Sequence, residues 1–240
     1  MNNICIDIGN TSSKAGIFIN SELAEKKYNL KDLELVKLCN HLSEHKIIVS
    51  SVTNQFNHIY NLIENKSRIT ILDHSIPTPI INKYHSPSTL GTDRLAAAIG
   101  GQVRFPDKNL LIIQTGTCFT YDLVTKENEY LGGAISTGLI MRFEALKTFT
   151  QKLPLVQMDE KYAEIIGIDT QTSILSGVVN GSVSEIEGMI DKYAEKFENL
   201  TVLLTGGWAN YFDTKINRSK FAFQDLVLLG LNKILLHNNE

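Results

Sequence analysis

The stretch ICIDIGNTSSKAGIF, residues 4–18, contains two apolar runs separated by a short polar segment. This pattern predicts a strand over 2–9, a tight turn, and an antiparallel strand over 13–19. The turn is rich in glycine, asparagine and threonine, which suit an ordinary hairpin. Asp7, however, places a carboxylate at the end of the first apolar run. A charged group at this position suggests that the turn binds a ligand.

The same pattern returns in the second half of the chain, where NLLIIQTGTCFTYDLVT (109–125) again predicts strand, Gly-Thr turn and strand. A mixed run of elements follows each hairpin. After the first we predict helices over 31–44 and 56–65, strands over 46–52 and 68–73, and an extended segment over 74–89. Residues 91–105 should begin as a loop and continue as an alanine-rich helix. After the second we predict strands over 129–137 and 200–207, and helices over 138–150, 173–197 and 224–237. The repeat predicts an α/β protein of two duplicated lobes, 1–108 and 109–240, with a ligand cleft between them.

Composition narrows the classes of function. The chain has 240 residues, 43% of them hydrophobic, and its 23 basic and 26 acidic residues nearly balance. We expect neither a nucleic-acid partner nor a membrane span, because no basic stripe and no long apolar run is present. The start lacks a signal-peptide pattern. Three scattered cysteines, Cys5, Cys39 and Cys118, favour a reduced, cytoplasmic protein, and the six histidines show no metal-ligand spacing.

Both turns have the residues of a phosphate site. Backbone N–H groups bind phosphate, and glycine lets the backbone approach it closely. Hydroxyls surround both turns, at Thr11, Ser12, Ser13, Thr115 and Thr117. Asp7 could hold a Mg²⁺ ion that bridges phosphate oxygens. The GxxxxGK[ST] motif is absent from the sequence, which argues against a P-loop NTPase.

Six motifs occur in order over nearly the whole chain: DIGNTSSK (7–14), GTDR (91–94), TGTCFTYD (115–122), GGAISTG (132–138), TGG (205–207) and DLVLLGL (225–231). Together they resemble the motifs of type III pantothenate kinases, members of the actin/Hsp70/sugar-kinase superfamily of two ribonuclease-H-like lobes. DxGNT occurs in looser form across that superfamily, whereas GxDR at this position is specific to the family. The resemblance implies ATP-dependent phosphorylation of pantothenate to 4′-phosphopantothenate, the first step of coenzyme A synthesis.

The resemblance also implies that ATP binds at the two turns and at the glycine motif LTGG (204–207). The first turn would grip the ATP phosphates, with Asp7 near the metal. Its residues are Asp7, Ile8, Gly9, Asn10, Thr11, Ser12, Ser13 and Lys14. Thr117 would contact ATP from the second lobe, and residues 204–207 would lie by the adenosine. Asp122 is a further candidate neighbour of phosphate or metal.

By the same resemblance, pantothenate binds around GTDR. The implied substrate residues are Tyr84, Gly91, Thr92, Asp93, Arg94 and Thr170. Asp93 would be the general base for the pantothenate hydroxyl, which suits phosphoryl transfer because a carboxylate beside the acceptor orients it and takes its proton. Arg94 would bind the pantothenate carboxylate through two hydrogen bonds. Thr170 would reach the substrate from the neighbouring subunit of a homodimer.

Each of these residues also has a plain structural interpretation. Asp93 suits the positive end of a helix dipole, and Arg94 suits a surface ion pair. Tyr84 could serve packing alone, and Thr170 could be a helix N-cap. The homodimer is further suggested by apolar residues on more than one face of helix 173–197, although a helix buried in the core gives the same pattern. These residues are Ile174, Val178, Val179, Val183, Ile186, Met189 and Ile190.

Two positions depart from the family pattern. Gln114 stands where the family has the aspartate that ligates a monovalent cation, K⁺ or NH₄⁺, and an amide offers one oxygen without charge. We therefore expect a weakened cation site. Thr137 replaces a proline and should alter only a loop. Two alternatives stay open: a superfamily kinase for another small hydroxylated substrate, and a degenerate relative with an accessory or regulatory role.

Overall fold

The computed structural model describes residues 2–42, 44–53 and 55–239. Its strands are β1 (Asn3–Ile8), β2 (Ser13–Ile19), β3 (Glu22–Tyr28), β4 (Lys46–Ser51), β5 (Ile69–Ile71), β6 (Ile81–Asn82), β7 (Leu110–Thr115), β8 (Cys118–Val124), β9 (Glu129–Thr137), β10 (Thr201–Thr205) and β11 (Phe221–Ala222). Its helices are α1 (Asp32–His41), α2 (Gln55–Leu62), α3 (Thr92–Arg104), α4 (Leu139–Thr148), α5 (Thr170–Ala194), α6 (Ala209–Lys215) and α7 (Leu226–His237). The predicted mixed α/β architecture, with two sheets flanked by helices, is confirmed.

The chain folds into two compact units. Unit 1 comprises Met1–Asp107, Val124–Gly132 and Asp225–Glu240, and unit 2 comprises Lys108–Leu123 and Gly133–Gln224. The predicted lobes were 1–108 and 109–240. Two segments of the predicted second lobe, Val124–Gly132 and Asp225–Glu240, belong instead to unit 1. Residues 129 and 130 pair with β6, and the C-terminal helix α7 packs on α3.

Unit 1 is organised around β1. Its sheet has five strands in the order β3-β2-β1-β4-β5. β1 pairs antiparallel with β2 and parallel with β4, and all six of its residues are buried. A central strand of this kind is normally a continuous apolar run. Asp7, buried near the end of β1, is therefore an exception that needs a reason.

The close crossing of α3 and α7 fixes α3 within unit 1. A Cβ atom on Gly100 would lie 1.9 Å from the Leu226 carbonyl oxygen, and one on Gly230 would lie 1.8 Å from the Ala96 carbonyl oxygen. Only glycine at both positions allows the two backbones to approach so closely. The alanine-rich helix α3, which begins within GTDR, is thus held in place by the C-terminal helix α7.

Unit 2 contains most of the second sheet, whose six strands lie in the order β11-β10-β7-β8-β9-β6. β10 is parallel to β7, and β6 pairs with the first residues of β9, which belong to unit 1. The core of unit 2 packs residues of β7, β8 and β10 against α4, α5 and α6. The predicted recurrence of a strand–turn–strand hairpin is confirmed in β7 and β8.

Some elements escaped prediction because their sequences carry weak patterns. β3, ELAEKKY, is an edge strand with mostly exposed residues, so it lacks the alternation of a half-buried strand. β6, β11 and α6 are short. The predicted helix 31–44 is α1, which ends at His41, and Ser43 lies outside the described residues. No helix of the described ranges combines the length and hydropathy of a membrane-spanning segment.

The apolar residues of α5 serve the core of unit 2. The five fully buried members of the set are Ile174, Val178, Val179, Ile186 and Ile190. Val183 and Met189 are partly buried and pack against the same core. Six of the seven residues therefore pack in the core of unit 2, which matches the second interpretation of this helix, and the α5 pattern gives no support to a dimer interface.

Candidate active site

The first turn joins β1 to β2 through residues 9–12. The Gly9 amide donates to the Ser12 carbonyl oxygen at 3.1 Å, which closes the turn. Asn10, Thr11 and Ser12 are exposed, and Ser13 is buried at the start of β2. The turn therefore presents backbone amides and hydroxyls to solvent, as an anion-binding turn requires. Ile8 differs from the other predicted ATP residues, because its side chain is fully buried in the core.

Asp7 and Lys14 face each other across the hairpin. They are register partners on β1 and β2, and Lys14 Nζ lies 3.1 Å from Asp7 Oδ2. The second carboxylate oxygen, Asp7 Oδ1, is buried and has no hydrogen-bond partner. An unpartnered buried carboxylate oxygen is costly unless it binds something. It has the hard-oxygen character that Mg²⁺ prefers, so this residue fits a metal ligand.

A cavity of about 680 Å³ adjoins the first turn. Residues 9–13 form one wall, and the loop 29–31 with the beginning of α1 forms the other. The cavity lies entirely within unit 1. The turn thus has open space beside it, which a purely structural hairpin packed on its neighbours would lack.

A hydrogen bond connects this hairpin's sheet to the GTDR segment. Asp7 on β1 is the register partner of Ser50 on β4. Ser50 Oγ lies 2.8 Å from Thr92 Oγ1, at the first residue of α3. Since α3 begins at this point, Asp93 and Arg94 are tied to the strand next to Asp7. The sequence analysis did not identify Ser50 as a site residue. Its position near the carboxyl end of a parallel strand is one where site residues are commonly found.

Asp93 lies half-buried in the first turn of α3. Its Oδ1 accepts a hydrogen bond from the Arg94 amide at 2.9 Å. A Cβ atom on Gly91 would lie 2.6 Å from the same oxygen, which is closer than real contacts allow. Glycine at 91 therefore leaves the space in which the Asp93 carboxylate sits.

Arg94 and Tyr84 come together in unit 1. Arg94 is buried to 5% exposure, which excludes the surface ion pair considered above. Its guanidinium carbon lies 5.9 Å from the centre of the Tyr84 ring, within the range of a cation–π contact. Tyr84 in turn is half-buried, and its amide donates to Asn82 Oδ1 at 2.9 Å.

Gly132 completes the support of Tyr84 and was missed in the sequence. It has a φ of +100°, and a Cβ atom there would lie 3.0 Å from the Tyr84 ring. Gly132 is the first glycine of GGAISTG, and the sequence alone assigns it no role. In the structure the Tyr84 ring lies against it. A larger residue would displace the ring and strain the backbone.

The second turn is held by the end of β10. Gly116 donates to the Cys118 carbonyl oxygen at 3.1 Å, and Thr117 is exposed. Gly206, with a φ of +96°, approaches the Thr115 backbone so closely that a Cβ atom would lie 2.9 Å from it. The Trp208 amide also donates to the Thr115 carbonyl oxygen at 3.0 Å. The two glycine motifs of unit 2, which the sequence separates by about 90 residues, are therefore neighbours.

Gln114 and Asp122 lie on the paired strands β7 and β8. Gln114 Nε2 lies 3.5 Å from Thr120 Oγ1, and that hydroxyl donates to Asp122 Oδ2 at 2.9 Å. Asp122 is fully buried within β8 and does not lie at a strand tip. The Gln114 amide is therefore next to a polar pair that contains a carboxylate.

Thr170 is the first residue of α5, and the helix N-cap is its neighbour Asp169. Asp169 Oδ1 accepts from the Thr172 amide at 2.8 Å, and hydrogen bonding by Thr172 lowers the pKa of this carboxyl. The interpretation of Thr170 as an N-cap was wrong. Thr170 is exposed and lines a largely apolar cavity of about 880 Å³ in unit 2, together with Arg142 and Phe149.

The chain matches known proteins over nearly its full length. The model of the type III pantothenate kinase family matches residues 3–192. A type III pantothenate kinase from Christiangramia forsetii is 41% identical over 241 residues, which cover 98% of each chain. One from Bacteroides fragilis is 42% identical over 243 residues, covering 99% of this chain and 98% of the relative.

Solved structures agree on the fold. The crystal structure of a ROK hexokinase from Thermus thermophilus superposes with a TM-score of 0.52 at 12% identity, covering 99% of each chain. Likeness at this identity concerns architecture alone, and here it shows a shared two-sheet α/β fold. The sequence matches are far closer. The chain belongs to the type III pantothenate kinase family.

Proposed function

We propose that this chain transfers the γ-phosphoryl group of ATP to the hydroxyl of pantothenate, with Asp93 as the general base. Membership of the family supports a kinase that uses ATP and pantothenate. The observation that carries the residue roles is the pair of Asp93 and Arg94 at the start of α3, tied to the strand beside Asp7. A binding-only protein has no need of this arrangement.

The chemistry expected of Asp93 follows from the reaction. Phosphoryl transfer depends mainly on positioning and charge stabilisation, so the protein must orient the acceptor hydroxyl in line with the phosphorus. A carboxylate beside that hydroxyl accepts its hydrogen bond, and then its proton, as the new O–P bond forms and the bond from the γ-phosphorus to the departing ADP oxygen breaks. The space left by Gly91 and the hydrogen bond from the Arg94 amide hold the Asp93 carboxylate in one orientation.

Arg94 is the proposed partner of the pantothenate carboxylate. A guanidinium can bind a carboxylate through two parallel hydrogen bonds, and burial strengthens this charge-assisted contact. The Tyr84 ring lies against the Arg94 guanidinium and limits its orientations. Gly91, Thr92 and Tyr84 complete the proposed substrate set in unit 1. The substrate carboxylate would pair with a guanidinium that is already largely withdrawn from solvent.

The ATP contacts are proposed for each unit in turn. In unit 1, the amides and hydroxyls of residues 9–13 would bind phosphate oxygens, and Lys14 would add positive charge. Asp7 Oδ1, buried and without a hydrogen-bond partner, would hold Mg²⁺. The metal would neutralise charge on the phosphates. In unit 2, Thr117 would contact ATP, and residues 204–207 would lie by the adenosine.

A weakened monovalent-cation requirement is proposed from Gln114. An amide contributes an oxygen ligand but no charge, so the affinity for K⁺ or NH₄⁺ should be lower than with a carboxylate. The Asp122 carboxylate is part of the same hydrogen-bonded group and could supply part of the missing charge. Thermal melting with added K⁺ or Na⁺, compared between the unmodified protein and Gln114→Asp, would measure this. A larger K⁺-specific stabilisation in Gln114→Asp is expected, and equal shifts would contradict the proposal.

A homodimer is proposed on a different surface from the one predicted. Four large apolar side chains of unit 2 are strongly exposed next to Thr170: Phe149 at 86%, Ile165 at 71%, Ile166 at 74% and Ile168 at 91%. Exposed apolar patches of this kind mark interaction sites. A second copy would cover them and bring Thr170 near a neighbouring chain. Light scattering should show a dimer for the unmodified protein and a monomer for Ile168→Asp.

We also propose that the enzyme is cytoplasmic. Its three cysteines are free, and the reducing conditions of the cytoplasm would keep them so.

A coupled ADP-release assay tests the function. ADP release should require pantothenate, and a panel of small alcohols and sugars should give little. Release with another substrate alone would favour a different kinase of the superfamily. ADP binding without turnover on any substrate would favour an accessory protein instead.

A further inference from the structure

Residue 138 joins the second turn to α4 by direct backbone contact. The Gly138 amide donates to the Thr117 carbonyl oxygen at 3.1 Å. A Cβ atom on Gly138 would lie 2.1 Å from that oxygen and 2.5 Å from the Gly116 carbonyl oxygen. The start of α4 and the turn therefore lie closer than any side chain would permit. A displacement of residues 137–138 must move the turn, since there is no space between them.

Arg142, one helical turn into α4, holds that junction in place. Its Nε donates to the Thr137 carbonyl oxygen at 3.0 Å, and its Nη2 lies 3.3 Å from Ser136 Oγ. Its guanidinium carbon also lies 5.3 Å from the centre of the Phe119 ring, which follows the turn on β8. One side chain thus contacts the segment before α4 and the strand after the turn.

Glu185 on α5 orients Arg142. The Arg142 Nη2 group donates to Glu185 Oε2, and the Tyr121 hydroxyl donates to Oε1 at 2.8 Å. Burial alone would raise the pKa of the Glu185 carboxyl, but hydrogen bonds from Arg142, Tyr121 and Ser136 hold it below its ordinary value. Glu185 is therefore ionised at neutral pH and fully committed to these donors. The pair is mostly buried, with side-chain exposures of 19% and 27%.

We propose that Arg142, oriented by Glu185, is a positioning residue that sets the place of Gly116 and Thr117 and thereby the affinity for nucleotide. This inference rests on the proposed function, because it takes Thr117 as an ATP contact. Arg142 contacts the junction at the Thr137 carbonyl oxygen and the Ser136 hydroxyl. Its effect travels through the Thr137 carbonyl and Gly138 to the turn. All of these residues lie in unit 2.

The test measures the dissociation constant of ADP by calorimetry, which requires no turnover. Arg142→Met keeps the length of the side chain without the donors, and should raise the constant by about 10-fold. Glu185→Gln, which leaves Arg142 less well oriented, should raise it by about 3-fold. The double variant should resemble Arg142→Met alone, because Glu185 acts through Arg142. Asp191→Asn removes the exposed Arg218 pair from the same helix and is the matched control.

Several outcomes would overturn the inference. One is an unchanged ADP constant in Arg142→Met, with a melting temperature that shows the protein folded. Another is a rise in the pantothenate KM alone, which would make Arg142 a substrate contact at the cavity it lines. If Arg142→Met fails to fold, Glu185→Gln decides, and an ADP constant equal to that of Asp191→Asn rejects the inference. Absence of ADP binding by the unmodified protein would instead reject the proposed function.

Discussion

Ser50 Oγ and Thr92 Oγ1 lie 2.8 Å apart, and this hydrogen bond joins β4 to the first residue of α3. Ser50 is also the register partner of Asp7. The strand that carries the proposed metal ligand and the helix that carries the proposed base are therefore connected through one buried serine. Reactions that depend on positioning lose rate when such a connection is loosened.

Ser50→Ala should lower kcat without direct loss of a substrate contact. Removing one hydrogen bond of this kind costs about 1 kcal/mol, so we expect kcat to fall by about 5-fold to 10-fold. Ser51→Ala is the matched control, because the Ser51 hydroxyl bonds to Thr53 and not to α3. Steady-state kinetics of both variants decide. Equal activity in the two would show that the Ser50–Thr92 bond does not position the base.

Asp93→Asn should abolish most phosphoryl transfer while ATP still binds. An amide keeps the shape and the hydrogen bond from the Arg94 amide but cannot take a proton, so kcat should fall by about 10²-fold to 10⁴-fold. Asp213→Asn serves as the control for loss of one negative charge, because Asp213 is an exposed carboxylate that pairs only with Lys220 among the ion pairs of the described residues. ADP release gives kcat, and calorimetry gives the affinity for ATP. Turnover of Asp93→Asn near that of the unmodified protein would rule out Asp93 as the base.

Gly91→Ala tests whether the space beside Asp93 matters. The new Cβ would meet Asp93 Oδ1 at 2.6 Å and force the carboxylate to turn away. We expect kcat to fall by about 10-fold or more, because a displaced base no longer meets the acceptor hydroxyl. Gly181→Ala on α5 has nothing within 4 Å of the added Cβ and should keep full activity. A fully active Gly91→Ala would mean that the carboxylate position seen here is not the working one.

Some parts of this site follow from sequence and others do not. The two turns could be predicted because glycine and hydroxyl residues interrupt strongly apolar strands. Arg94 could not be placed, since nothing local distinguishes a buried arginine from a surface one. Its guanidinium lies 5.9 Å from the centre of the Tyr84 ring, a contact between residues ten positions apart along the chain. Gly132 is informative only when its φ and its contact with Tyr84 are known.

The division into units shows the same limit. Periodicity predicts α7, but no local pattern tells which unit the last helix joins. The reason is the crossing of Gly100 and Gly230, a contact between residues far apart in sequence. The apolar residues of α5 were ambiguous for a related reason. Burial against the unit's own sheet and burial against a second subunit produce the same hydrophobic pattern in the sequence.

The glycine crossing itself predicts a stability effect. Gly100→Ala would put a Cβ 1.9 Å from the Leu226 carbonyl oxygen, and the backbones of α3 and α7 would have to separate. Overpacking of this kind typically costs about 1–3 kcal/mol of unfolding free energy. Gly188→Ala, whose Cβ meets nothing within 4 Å in α5, should be neutral or should stabilise by up to about 1 kcal/mol. Urea unfolding measures both, and a stable Gly100→Ala would contradict the close crossing.

The three cysteines should differ sharply in reactivity. Burial raises the pKa of the Cys39 thiol to about 11, although Arg68 nearby lowers it in part, and burial also raises the pKa of the Cys5 thiol. Thiolate is the reactive form, so both thiols should react slowly at mildly alkaline pH while the protein is folded. Cys118 is half-buried and directly follows Thr117.

We therefore expect a chromogenic disulfide reagent to label one thiol quickly in the folded protein, and all three only after unfolding. The fast reaction should disappear in Cys118→Ser, which leaves the two buried thiols in place. ADP should slow it, because the proposed nucleotide contact at Thr117 would cover the neighbouring sulfur. A fast reaction that persists in Cys118→Ser would show that Cys5 or Cys39 is accessible. A rate in the unmodified protein that is insensitive to saturating ADP would contradict nucleotide binding at this turn.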